Sequence, residues 1–155
     1  IIGRGLDVPV INLGFDASGK MEPEMAALMS ELDPSVYVLD CLWNMADKMV
    51  EERGAPFVRK LRQVHPETPI VLVQDSNFRN ISPTGKGKVL MEIYEQLKKD
   101  GVKELYFVAN EGMLGDDCEG TVDGCPPNDL GMMRQATVMI KALSPMLNKS
   151  KEVKK

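Results

Sequence analysis

The chain has 155 residues, a formal net charge of −4 and 43% hydrophobic residues. That is one domain's length with enough apolar side chains for a core. The acidic balance and scattered lysines argue against a nucleic-acid surface, and no apolar run reaches the roughly 20 residues of a membrane-spanning helix.

Taken in chain order, short apolar runs alternate with helical patterns. Val8–Leu13, Val36–Leu42, Ile70–Val73 and Leu105–Ala109 are rich in Val, Ile, Tyr and Phe and show little alternation. Such runs suit strands buried on both faces of a parallel sheet. Helical stretches lie between them. Glu24–Leu32 follows Pro23, a good first-turn residue. A second stretch runs from about Met45 to Val64, with an interruption expected near Gly54-Ala55-Pro56. A third covers about Lys88 to Lys99 and stops at Asp100-Gly101. The last runs from Asp129 to Leu147 behind Asn128 as N-cap, with Leu130, Met133, Ala136, Ile140, Leu143 and Leu147 on one face. Alternating strand and helix predicts an α/β fold with a mostly parallel sheet. Residues 1–148 form the expected domain and 149–155 a solvated tail.

In such sheets a site lies at the carboxyl ends of the strands. Those ends carry Asp16–Ser18, Trp43–Asn44, Asp75–Asn80 and Glu111–Asp123. The only histidine, His65, precedes the third run, at the opposite edge, and reads as structural. Asp40 reads as a buried, hydrogen-bonded strand residue and Asp129 as a first-turn acid that complements the helix dipole. Among the three cysteines, Cys41 reads as a buried thiol, while Cys118 and Cys125 flank a loop and are close enough in sequence to pair.

Three segments carry a family resemblance. Thr121-Val122-Asp123-Gly124-Cys125-Pro126-Pro127-Asn128-Asp129-Leu130-Gly131-Met132 resembles the last block of the SGNH (GDSL-like) ester hydrolases, D-G-x-H-P-x-D-x-G-M. Pro9-Val10-Ile11-Asn12-Leu13-Gly14-Phe15-Asp16-Ala17-Ser18-Gly19 is similar to the second block, N-L-G-F-S-G-N-G, and Val38-Leu39-Asp40-Cys41-Leu42-Trp43-Asn44-Met45 to the third. The resemblance spans roughly Leu6 to Leu147. It implies a three-layer α/β/α, flavodoxin-like domain and hydrolysis of acyl or acetyl esters, carbohydrate esters among them, without a cofactor or metal. By the same resemblance Asp123 is the triad acid, Ala17 and Asn44 supply oxyanion-hole donors, and Asp16, Trp43 and Arg79 are candidate substrate contacts.

The chain departs from the family at three places. Pro126 stands where the catalytic His belongs, and proline has no group to take a proton. Ala17 replaces a Gly, so its N–H serves only if Ala adopts the backbone angles that Gly allows. No G-D-S segment is present, and the chain opens at Ile1 without Met. Ile1–Leu6 resembles the end of the helix that follows the G-D-S strand, so the resemblance implies a preceding segment holding that strand and its Ser. Without that strand the sheet is expected to rearrange, to borrow a strand from a second copy, or to take one from a preceding segment. A homo-oligomer is one such outcome, and a secreted or periplasmic location is compatible with the family.

Other readings stand beside these. Asp123 is also readable as a turn-capping carboxylate and Asn44 as the N-cap of the next helix. The acidic loop 116–123 offers oxygens to a hard cation but lacks the spacing of an EF-hand loop. The Gly/Pro/Ser-marked segment 78–88 is either a plain connection or a substrate-facing lid. Gly14-Phe15-Asp16-Ala17-Ser18-Gly19-Lys20 also matches G-x-x-x-x-G-K, although Met21 occupies the place of the magnesium-binding Ser or Thr. A degenerate site that binds a carbohydrate or a protein is the main alternative to an esterase.

Overall fold

A computed structural model of the chain describes residues 1–76, 84–124 and 126–153, with side chains described as far as Leu147. The elements in order are α1 (Ile2–Leu6), a 3-10 turn at Phe15–Ala17, α2 (Pro23–Ser30), β1 (Tyr37–Leu39), a 3-10 turn at Leu42–Asn44, α3 (Asp47–Val64), β2 (Ile70–Val73), α4 (Gly85–Lys99), β3 (Leu105–Val108) and α5 (Asp129–Val153). The three strands form one parallel sheet in the order β1-β2-β3. The α/β expectation therefore holds. All four residues of β2 are buried, as its β-branched run requires for a central strand covered on both faces.

The chain divides into two compact units. One comprises Leu13–Asp75 and Pro83–Val108 and contains the sheet with α2, α3 and α4. Its core joins Leu39, Val50, Val58, Leu61, Ile70, Leu72, Leu90, Leu97 and Leu105. The helices α2 and α4 both pack against α3. Gly54 lies where α3 meets α4, and a Cβ there would press on Ile93 Cδ1 at 3.0 Å. The other unit comprises Ile1–Asn12, Ser76–Ser82 and Ala109–Lys155, in which α1 packs on α5.

Several element expectations need correction. Val8–Leu13 is not a strand, and Val10 and Ile11 are 60% and 66% exposed. A run of β-forming residues becomes a strand only with a ladder partner, and the sheet described has three strands, with β1 at one edge. α3 runs unbroken through Pro56. The cost of a proline within a helix, about 3 kcal/mol, is outweighed by the buried face of Val50, Phe57, Val58 and Leu61. α4 begins at Gly85, three residues before the expected start, because Thr84 caps it: Thr84 Oγ1 accepts from Gly87 N at 3.0 Å. α5 continues to Val153, into the segment read as a tail.

Leu72 in β2 is fully buried. Leu72→Ala should therefore lower the unfolding free energy by about 2–5 kcal/mol, read as a lower urea midpoint with an unchanged slope.

Candidate active site

The sheet-containing unit brings the second and third blocks together. β1 ends at Leu39, the chain crosses Asp40 and Cys41, and the 3-10 turn Leu42–Asn44 follows, with Leu42 buried as its anchor. Asn44 N donates to Cys41 O and Met45 N to Leu42 O, at 3.0 and 3.1 Å. The half-buried Asn44 then reaches across 25 residues, and its Nδ2 donates to Gly19 O at 3.1 Å. An amide nitrogen carries two hydrogens, so this bond uses one of its two donors. Asn44 does not cap α3, whose N-cap is Ala46 without a side-chain bond.

The second block is a tight left-handed turn. Phe15, Asp16 and Ala17 have φ of 48°, 44° and 63°, between Gly14 and Ser18 in the right-handed region. Ala17 thus adopts the conformation that the Gly of the family motif would take without a steric cost. For an L-residue this region costs roughly 1–2 kcal/mol. Contacts on its C-terminal side hold the turn: the Asn44 amide on Gly19, and Arg53 Nη1 donating to Lys20 O at 3.0 Å. Asp16 is exposed. No strand leads into this segment, α2 starts only at Pro23, and Met21 is buried with φ 52°. The segment lacks the strand–loop–helix form of a phosphate-binding loop.

Trp43 is 37% exposed, and Lys86 Nζ lies 5.4 Å from its ring centroid. Asp40 is exposed rather than buried. The protein packed around its carboxyl nevertheless raises its pKa, with a further push from the Asp75 charge. Burial pushes the neighbouring Cys41 thiol up to about 12, helped by the Asp40 and Glu22 charges. Cys41 is therefore an inert thiol at neutral pH. Cys118 is exposed, and Cys125, with which it was read as able to pair, lies outside the described residues. Arg79 and most of the segment read as a connection or lid also lie outside them.

The last block belongs to the other unit. Asp123 and Pro126 are both exposed, in a turn closed by the Thr121–Pro127 bridge and by Gly124 N donating to Thr121 Oγ1 at 2.9 Å. Asn128 caps α5 as expected, its Oδ1 accepting from Gly131 N at 3.0 Å and its Nδ2 donating to Glu119 O at 2.7 Å. A Cβ on Gly131 would collide with the Gly120 carbonyl oxygen, so that glycine is what lets the loop lie against the helix. Arg134 holds the preceding loop through a bidentate pair with Asp117, at 2.7 and 2.6 Å, and a 2.7 Å bond to Leu114 O. Sequence reading missed this clamp, because spacing alone does not identify a partner 17 residues away.

His65 stands at the end of α3, its Nε2 2.9 Å from Ser30 O and its ring edge-on to Tyr37. It serves as a structural residue before β2, as expected. Among the described residues no group of three or more His, Cys, Asp or Glu is placed to hold a metal, and no helix is long and apolar enough to cross a membrane.

Two predictions follow from this geometry. Ala17→Gly relieves a left-handed alanine and should raise stability by roughly 1 kcal/mol; a lower melting temperature would contradict the strained turn. The hydrogen bond from Arg134 holds the Asp117 pKa down to about 2. Its folded pKa lies below the unfolded value of about 3.9, so the pair's contribution is present above about pH 4 and is lost as pH falls through about 2. In carboxyl NMR titrations Asp117 should titrate near 2 and move upward in Arg134→Ala, which leaves only the Glu119 N–H on that carboxylate.

The sequence model of the GDSL-like Lipase/Acylhydrolase family matches residues 1–144. A protein assigned as a GDSL-like lipase from Bacteroides ovatus, solved by crystallography, is 37% identical with a TM-score of 0.85, over 95% of this chain and 46% of that one. The salicylyl-acyltransferase SsfX3 from a tetracycline biosynthetic pathway shares the fold, with a TM-score of 0.76 at 18% identity, over 94% of this chain and 47% of that one. The chain thus spans about half the length of either structure. None of the curated proteins matches it. The family match over nearly the whole chain, together with the solved relative at 37% identity, shows that this chain belongs to the GDSL-like lipase/acylhydrolase family.

Proposed function

We propose that the chain is the scaffold of a serine ester hydrolase acting on small acyl or acetyl esters, carbohydrate esters among them, and that it is catalytically incomplete as it stands. One observation carries this reading: the Asn44 amide is joined to the Phe15–Gly19 turn, with Ala17 held at φ 63°. The hydrogen bond that ties the Asn44 side chain to Gly19, two residues past Ala17, supports assigning the oxyanion donors to these two segments. Such a pair is what an acyl-transfer site uses to hold a developing oxyanion. The exposed Trp43 beside it offers an apolar face to a sugar ring or acyl chain.

In the full reaction a Ser Oγ attacks the ester carbonyl while a His accepts its proton. The tetrahedral oxyanion forms against the Ala17 and Asn44 donors. It then collapses to an acyl-enzyme as the protonated His gives its proton to the leaving alcohol, and water releases the acid by the same route. Asp123 is the acid that would orient the His. Pro126 provides no base, and no G-D-S Ser occurs in these residues, so both the nucleophile and the base must come from elsewhere. This favours a second reading, in which the site has become a binding site for a carbohydrate or a protein.

Hydrolysis of p-nitrophenyl acetate by the full-length protein, beside its Pro126→His variant, separates the two. Loss of a triad member typically costs several powers of ten in rate. The expected outcome is a parent near background and a His variant roughly 100-fold or more above it. Turnover by the parent would reveal a substitute base, and inactivity of both would overturn the esterase reading in favour of binding.

A further inference from the structure

Lys86 is a cation placed where a helix disfavours one. It is the second residue of α4, and the N-terminal end of a helix is its positive end. It is nevertheless mostly buried, its side chain 18% exposed. Three partners surround it. Nζ donates to Leu42 O at 2.7 Å, lies 3.8 Å from Asp75 Oδ2, and sits over the Trp43 ring. Asp75 is 2% exposed and also accepts from Thr84 Oγ1 at 2.8 Å.

The acceptor of the short bond is the informative part. Leu42 O already receives Met45 N, the bond that closes the 3-10 turn Leu42–Asn44. Lys86 therefore grips the carbonyl at the start of the turn that presents Asn44. A buried ammonium with a carboxylate behind it is a rigid point of attachment, since letting go would strand a charge in a low-dielectric site. The ring of Trp43, one residue before Asn44, is held from the same point.

We propose that Lys86 is a positioning residue, fixed by Asp75, that sets the direction of the Asn44 amide and the pose of Trp43. The inference rests on the oxyanion-hole assignment of Asn44 made above. It adds a component outside the second, third and last blocks: a lysine on α4 that acts on the reaction only through the third-block turn.

Trp43 is the chain's single tryptophan, so its fluorescence reports this site alone. The test uses 15N-labelled chain with Lys86→Met, Lys86→Arg and the double variant Asp75→Asn/Lys86→Gln. The double variant removes both charges of the pair and is read in place of Lys86→Met if that variant does not fold. The expected result is a shift of the Asn44 side-chain amide signals and of Trp43 emission in Lys86→Met and in the double variant, with Lys86→Arg closer to the parent. An Asn44 signal and emission unchanged in a folded Lys86→Met or double variant would overturn the proposal.

Kinetics then separate this inference from the esterase reading. In a full-length Pro126→His enzyme that turns over, Lys86→Met should lower kcat about tenfold or more with KM little changed, a fraction of the 100- to 1000-fold loss typical of an oxyanion donor. Unchanged kcat would overturn the catalytic consequence. If Pro126→His is itself inactive, the esterase reading fails while the spectroscopic result still decides whether Lys86 positions the turn.

Discussion

The buried carboxylate of Asp75, just past the end of the central strand, is the charge around which the site edge of the sheet is organised. A carboxyl group that is 2% exposed needs polar partners at hand. Thr84 and Lys86 supply them, and both belong to the start of α4. The same carboxylate thus helps fix where α4 begins and, through the Lys86 bond to Leu42 O, where the chain turns after β1. Breaking such a buried pair typically costs about 3–5 kcal/mol. The exposed Lys48–Glu52 pair on α3 belongs to a class worth at most about 1 kcal/mol.

Against that rigid edge stands a strained turn. Three successive non-glycine residues with positive φ cost roughly 1–2 kcal/mol each. The contacts that follow them, Asn44 on Gly19 and Arg53 on Lys20, return about 1 kcal/mol apiece. Strain of this kind persists where surroundings over-determine a conformation, and it gathers at functional sites. The left-handed Ala17 thus lies in a conformation that alanine does not prefer, at the position proposed to supply a backbone donor.

Much of the fold was legible because the signals were local. The β-branched runs at Ile70–Val73 and Leu105–Val108, and Asn128 ahead of an apolar periodicity, act through their own neighbours. Val8–Leu13 has the same composition as a buried strand, but only a ladder partner makes a strand, and composition does not reveal one. The start of α4 was misread because Gly85 and Gly87 look like loop residues, while the Thr84 hydroxyl accepts from Gly87 N, one of the helix's first donors. Among candidate site residues, Asn44 and Ala17 were proposed from block spacing, and the Asn44 amide bonds Gly19, two residues past Ala17. Asp75–Lys86 and Asp117–Arg134 were not found, because each pair is created by folding. Asp123 and Pro126 were read as parts of a motif, and Pro126 departs from that motif by residue type alone, before any geometry.

If Ala17 and Asn44 serve as oxyanion donors, they should take up a tetrahedral anion even with Pro126 at the motif's histidine position. NMR titration of the 15N-labelled chain with methylphosphonate, a tetrahedral anion resembling the reaction intermediate, tests this expectation most directly. The expected result is saturable shifts of the Ala17 backbone N–H and the Asn44 side-chain amide, with the Ala17 shift weakened in Asn44→Ala. Saturable shifts elsewhere with both of these signals unmoved would contradict it.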